Sequence, residues 1–307
     1  MAKRVTRNGI LKPRNLKGIL GEIFKVYGRN FLKLLAIVAI VEVILGAIWL
    51  ILGTVFDFAS LPHIVAERKL ESLTSPIIIT GIVMLVVSIV ASILMLGALI
   101  HAVVEQYRRQ TVTIADAYAF ARGRLGAMTG AGFLAFLAIS AIIAVCVYVV
   151  LFSWVGWILV AVGIPAAIYF AVRWTFIWQT ASLERVGPMA ALVRSSALVK
   201  GNWWRVLGIM LLVGLITAAI GAAVTSGITV TIRATAPINA IATSSAAAAI
   251  NAALGKLPAV VAIIGSVLST PVLAVGGTLL YYDLWVRKED FTLEFLDGGT
   301  KISNDVS

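Results

Sequence analysis

Six stretches of the chain are long and apolar enough to cross a bilayer: 31–53, 76–102, 129–151, 155–179, 206–232 and 258–284. A hydrocarbon core about 30 Å thick takes roughly 20 apolar residues in a helix. Inside it every backbone N–H and C=O needs a partner within the protein, which leaves helices and closed barrels. None of the stretches alternates apolar and polar residues as barrel strands do. The expectation is an all-α membrane protein with six transmembrane helices. Composition agrees, with 61% hydrophobic and 13% charged residues against about 45–50% and about 25% in soluble domains. About thirty polar, basic residues precede the first stretch, too many for the n-region of a signal peptide, so the first helix is expected to be a retained anchor. Cys146, the single cysteine, lies in the third stretch and reads as a small hydrophobe.

The net charge of +11 raises the question of a polyanionic partner, and its distribution answers it. With the N-terminus inside and six crossings, 20 of the 25 Lys and Arg residues fall on the cytoplasmic side and four (Arg68, Lys69, Arg233, Lys256) on the outer side. Arg173 lies within a span. Such a bias over short loops is the positive-inside rule, and it places both termini in the cytoplasm of a cell-membrane protein. The basic charge then faces anionic inner-leaflet lipid, at about 1 kcal/mol per Lys or Arg near the surface. Nucleic acid is not needed as a partner, because no aromatic-interleaved or zinc-type module accompanies the charge.

Three polar-to-apolar ramps stand out. The first, from Asn15, places Leu16, Ile19, Leu20, Ile23, Phe24, Val26 and Tyr27 on one helical face and Lys17, Lys25 and Arg29 on the other, an amphipathic pattern. Asn15 is the expected N-cap. The second opens with Thr113 and Asp116 at capping-box spacing and carries Ile114, Ala117, Tyr118, Ala121 and Leu125 as its stripe, which Phe120 interrupts. The third opens with Gly187-Pro188, a proline at the first helical position, with a stripe of Met189, Leu192, Val193 and Ala197. Each ramp meets a glycine (Gly28, Gly123, Gly201) before a span begins, and glycine suits a turn from the interface into the bilayer. The expected organisation is three repeated units of interfacial amphipathic helix plus helical hairpin. The plainer alternative is that any six-span protein has basic, Trp-rich inner borders. The units divide into a basic cytoplasmic N-terminus with its amphipathic helix (1–30), a membrane domain (31–285) and a cytoplasmic tail (286–307). Outer segments at 54–75 and 234–257 are candidates for a short helix and for helix or disorder respectively, and 152–157 for a tight turn.

Few residues suggest chemistry. Glu42 lies about eleven residues into the first span, where a carboxylate is costly. It reads either as a proton or cation site or as a carboxyl satisfied by another helix. Arg173 and Glu184 would share a face if span four continues as a helix, which suits a structural latch. These three form the candidate intramembrane polar site. His101 and Glu105, one turn apart, make half a metal site with nothing to complete it, so an interfacial pair is expected. Pro165 and Pro271 lie inside spans four and six and are candidate kinks. Gly214, Ala218, Ala222 and Ser226 form a small-residue seam on span five. No phosphate loop, nucleophile elbow or soluble catalytic domain is recognisable, and no catalytic residue, metal ligand or cofactor is assigned.

Two passages and the six-span layout resemble a known family. They are 172–209, "VRWTFIWQTASLERVGPMAALVRSSALVKGNWWRVLGI", and 279–294, "LLYYDLWVRKEDFTLE". They are similar to the integral-membrane domain at the N-terminus of some bacterial glycerophosphodiester phosphodiesterases, which also occurs alone in bacterial and archaeal membrane proteins. That family's return from span four runs Arg, Glu, Ala-Leu-x-Arg-Ser, then Gly and aromatics. Arg173, Glu184, Ala191, Leu192, Arg194, Ser195, Gly201, Trp203 and Trp204 match it. Tyr281, Tyr282, Asp283 and Arg287 match its last exit. The resemblance implies a membrane partner without the enzyme, because the phosphodiesterase barrel and its metal-binding residues have no counterpart.

The function expected from the sequence is therefore a non-enzymatic membrane anchor, scaffold or lipid-interacting module. Its contact residues for anionic lipid, or for a cytoplasmic or membrane protein partner, are Lys17, Lys25, Arg29, Arg122, Arg124, Arg194, Lys200, Trp203, Trp204 and Arg205. The alternative is a small-solute or lipid transporter with a pathway between the repeated units, lined by Glu42, Arg173 and the proline kinks at Pro165 and Pro271.

Overall fold

A computed structural model of the chain describes residues 15–55, 75–107, 112–152, 156–235 and 245–289. The described residues form nine helices and no strand: α1 (Leu16–Arg29), α2 (Phe31–Val55), α3 (Ser75–Tyr107), α4 (Ile114–Phe152), α5 (Gly156–Arg173), α6 (Ile177–Leu183), α7 (Pro188–Val199), α8 (Trp203–Thr235) and α9 (Ser245–Glu289). Six segments are long and apolar enough to cross a membrane: Phe31–Gly53, Ile78–Gln106, Ile114–Val150, Leu159–Leu183, Trp203–Ile228 and Val260–Lys288. The protein is an all-α, multi-pass integral membrane protein. The expectations for residues before Asn15, for 56–74, for the turn at 153–155 and for the tail beyond Glu289 fall outside the described residues. The Ala- and Ser-rich segment after 234 is helical from Ser245 onward, as the start of α9.

Helix α9 is the centre of the bundle. Of its most apolar stretch 56% is buried, against 11–28% for the other five crossings. It packs against α1, α2, α3, α7 and α8, and small residues on several faces make this possible. A side chain at Gly276 would press on Val213 of α8 and Ile23 of α1, and one at Gly46 of α2 would collide with Ile263. In lipid, where no hydrophobic effect draws helices together, such close approach supplies the packing energy. The seam on α8 is not the expected one. Ala218, Ala222 and Ser226 are exposed, while Gly221 and Thr225 meet Gly265 and Ser269 of α9. The contact face lies one residue, or about 100°, around the helix from the expected seam.

The three ramps fold differently. In the first, α1 and α2 are separated by Asn30 alone, and Gly28 lies inside α1. Asn15 sits at the N-cap with extended backbone, but its side chain makes no capping hydrogen bond. Ile19, Ile23 and Val26 are buried by protein rather than lipid, and the Tyr27 hydroxyl donates to the Leu268 carbonyl of α9 at 2.8 Å. Burial raises the Tyr27 phenol above its ordinary range, so it stays a donor.

The second ramp does not break. Helix α4 runs through Gly123 as one 39-residue helix, because a single mid-helix glycine costs only about 1 kcal/mol. Its capping box is complete. Thr113 Oγ1 accepts from the Asp116 N–H at 3.1 Å, and Asp116 Oδ2 accepts from the Thr113 N–H at 3.2 Å. Phe120 leaves the apolar stripe to stack on His101, with ring centroids 4.2 Å apart.

Only the third ramp turns at its glycine, where Gly201 has φ +84° between α7 and α8. Left-handed backbone costs other residues about 1–2 kcal/mol, so Gly201→Ala is expected to lower the melting temperature in detergent. Gly28→Ala and Gly123→Ala should raise it slightly, since both positions are helical with open space around them.

Candidate functional site

The polar chemistry of the fold collects where α5, α6, α7, α8 and α9 meet at the charged end of the bundle. Its geometry begins with a broken helix. Span four does not continue to Glu184. It turns over Trp174–Phe176, where Thr175 N–H bonds the Val172 carbonyl and Ile177 N–H bonds that of Trp174, both at 3.3 Å. The break is far from Pro165, which α5 accommodates, as α9 accommodates Pro271. At such a break a backbone N–H loses its helical partner and needs another. Ser195 of α7 provides it. Its Oγ accepts from the Phe176 N–H at 3.1 Å and donates to the Arg173 carbonyl at 3.0 Å. Ser195 is fully buried, so the hydroxyl stands in for a missing turn of helix.

The break also overturns the expected latch between Arg173 and Glu184. Arg173 turns back to Tyr169 on its own helix, with Nη1 3.1 Å from the hydroxyl and the guanidinium 5.7 Å from the ring centroid. Glu184 instead accepts from Arg194 Nε and from the Tyr281 hydroxyl, each at 2.7 Å. The carboxylate thereby ties the α6–α7 corner to α7 itself and to α9. The Thr180 hydroxyl shares its one proton among the carbonyls of Phe176, Ile177 and Ala191, at 3.0, 3.1 and 3.2 Å, and Lys288 Nζ reaches the Ala197 carbonyl. Trp203 Nε1 donates to the Tyr169 carbonyl at 3.3 Å.

A second carboxylate completes the border. Asp283, with its side chain 3% exposed, accepts from Arg205 Nη2 and from Arg287 Nε on the same Oδ2, both at 2.9 Å. Arg205 opens α8, and Arg287 lies one turn beyond Asp283 on α9, so the pair closes α8 onto α9. Charge-assisted bonds of this length are about twice as strong as neutral ones.

The expected residues divide accordingly. Arg194 and Arg205, expected to meet lipid, are engaged by Glu184 and Asp283. Trp203 is half-buried, whereas Trp204 is 79% exposed. Lys17, Lys25, Arg29, Arg122 and Lys200 are exposed, and Arg124 is half-buried. Glu42 is half-buried on α2 beside exposed Val43 and Ile44. Among the described residues no hydrogen bond or ion pair joins it to Arg173 or Glu184, so the three do not form one polar site. Asp283, Tyr281, Arg287 and Ser195 appear in the sequence only as parts of a resemblance. The spacing of Asp283 and Arg287, four apart at the end of an apolar run, is the signal that points to an ion pair. Nothing in the sequence links Ser195 to a break nineteen residues earlier. Among the described residues no group of three His, Cys, Asp or Glu could hold a metal ion.

No protein-family model, curated protein or solved structure matches the chain.

Proposed function

We propose that the protein is a non-catalytic membrane scaffold that holds anionic phospholipid at its basic border. One observation carries the reading. The carboxylates Glu184 and Asp283 engage arginines that fix the helices to one another, whereas Lys17, Lys25, Arg29, Arg122 and Lys200 lie exposed. The first set builds a rigid border, and the second presents charge to phosphate. The positive-inside bias supports a cytoplasmic-leaflet position for that border. The resemblance to the stand-alone membrane domain supports the same role, that of a membrane partner rather than an enzyme. A partner protein carrying acidic groups is the other occupant this surface suits.

The test is native mass spectrometry of the full chain extracted in mild detergent. It is expected to retain phosphatidylglycerol in preference to phosphatidylcholine. At about 1 kcal/mol per basic residue, the triple variant Lys17→Gln, Lys25→Gln, Arg29→Gln should weaken that retention roughly hundredfold. A parent protein without preference for anionic lipid rules the reading out.

A further inference from the structure

Helix α7 carries two apolar faces, and the bundle covers only one. Ala191, Leu192, Leu198 and Val199 are buried on the inner side. On the outer side Met189 is 66% and Val193 65% exposed, and Ala197, one turn further on, is exposed too. At 12 residues the helix is too short to cross a bilayer, yet it joins two segments that do. Its exposed stripe therefore lies at the membrane border. Basic residues flank it. Arg185, exposed and held at φ +55°, precedes it, and exposed Lys200 ends it.

We propose that α7 is a fixed wedge, its Met189–Val193–Ala197 stripe sunk between the headgroups and acyl chains of one leaflet. The inference rests on the lipid-border reading and deepens it by naming the element that enters the lipid. Two features select lipid as the occupant. The stripe lies on a helix whose two ends lead directly into crossings, and those ends bear the charge of Arg185 and Lys200 that phosphate headgroups complement. The wedge differs from an ordinary interfacial helix in being unable to leave. Glu184–Arg194 and the two bonds of Ser195 fasten its inner face. A rigid body inserted into one leaflet spreads that leaflet alone, so the protein favours loosely packed or curved membrane.

The test places a nitroxide at Met189→Cys or Val193→Cys in a full-length Cys146→Ser background, in phosphatidylcholine vesicles with and without phosphatidylglycerol. Both sites are exposed, and the melting temperature of each labelled protein checks that it remains folded. At both sites collisions with dissolved oxygen are expected to exceed those with a water-soluble nickel chelate several-fold, with the reverse at Arg185→Cys. Deeper burial of the labels with phosphatidylglycerol is the expected contribution of the basic ends. Labels open to nickel in both lipids, or shielded from both reagents as under a second copy or partner protein, overturn the wedge. The pure phosphatidylcholine arm keeps the two proposals separable. Oxygen-rich labels there uphold the wedge even if native mass spectrometry finds no anionic preference.

Discussion

Asp283→Asn is expected to lower the melting temperature of the detergent-solubilised protein by about 5–10 °C, the largest single-residue loss at the charged border. Removing one member of a buried ion pair costs about 3–5 kcal/mol, because the remaining charge is stranded. Asp283 leaves two. Arg205 and Arg287 are 26% and 29% exposed, so water recovers part of that cost and about 3 kcal/mol remains, equivalent to the stated shift. Asparagine keeps the volume and a carbonyl oxygen, which isolates the charge. Arg205→Gln alone should cost less, since Arg287 still neutralises the carboxylate. The double variant Asp283→Asn, Arg205→Gln should be more stable than the sum of its parts predicts. A parent-like melting curve for Asp283→Asn would show that the carboxylate does not hold α8 to α9.

The second large effect is steric. A Cβ on Gly265 would lie 2.9 Å from Thr225 Cγ2 and 3.3 Å from the Gly221 carbonyl oxygen. Neither neighbour can yield. The Thr225 hydroxyl bonds that same carbonyl at 2.9 Å, which fixes a side chain already stiff at χ1, and the carbonyl is backbone. Gly265→Leu must therefore push α8 away from α9, at a cost of about 3 kcal/mol, toward the upper end of overpacking penalties. Ala222→Leu, on the exposed side of α8, is the control and should melt like the parent. If the two variants exchange behaviour, the contact face of α8 has been misassigned.

The six crossings are legible in the sequence because length and hydropathy are properties of single segments. The internal face of α8 is not, since Gly214, Ala218, Ala222, Ser226 and Gly221, Thr225 are equally small. Only the partner's Gly265 and Ser269 decide between the two stripes. The same limit applies to the turns. Gly28, Gly123 and Gly201 occupy like positions in three like passages, yet only Gly201 takes left-handed backbone. Whether a helix stops at glycine depends on what the next turn packs against. The amphipathic stripe of α1 is evident in sequence, but periodicity cannot say that α9, rather than lipid, covers it.

At the border the sequence supplies most of the right residues and the wrong pairing. Glu184 and Arg194 both stand out as charges beside a span. Arg173 takes the place of Arg194 only if span four remains helical to its end. The serine that allows the break, Ser195, looks like any small polar residue on a helix. Asp283 is the converse case, an acid whose neighbour Arg287 is visible four residues on, while Arg205 is 78 residues away in sequence.

The place of α9 has a consequence for how the protein is made. Chains emerge from the ribosome N-terminus first, and the helix on which α1, α2, α3, α7 and α8 all pack follows every one of them. Tyr27 waits 241 residues for the carbonyl it bonds. Until the last crossing arrives, Arg205 has no Asp283 and Glu184 no Tyr281, and the earlier helices must lodge side by side without a keystone. Assembly of this bundle thus includes a late closing step, in which α9 joins α1, α2, α3, α7 and α8, after the α3–α4 and α4–α5 neighbours have already met.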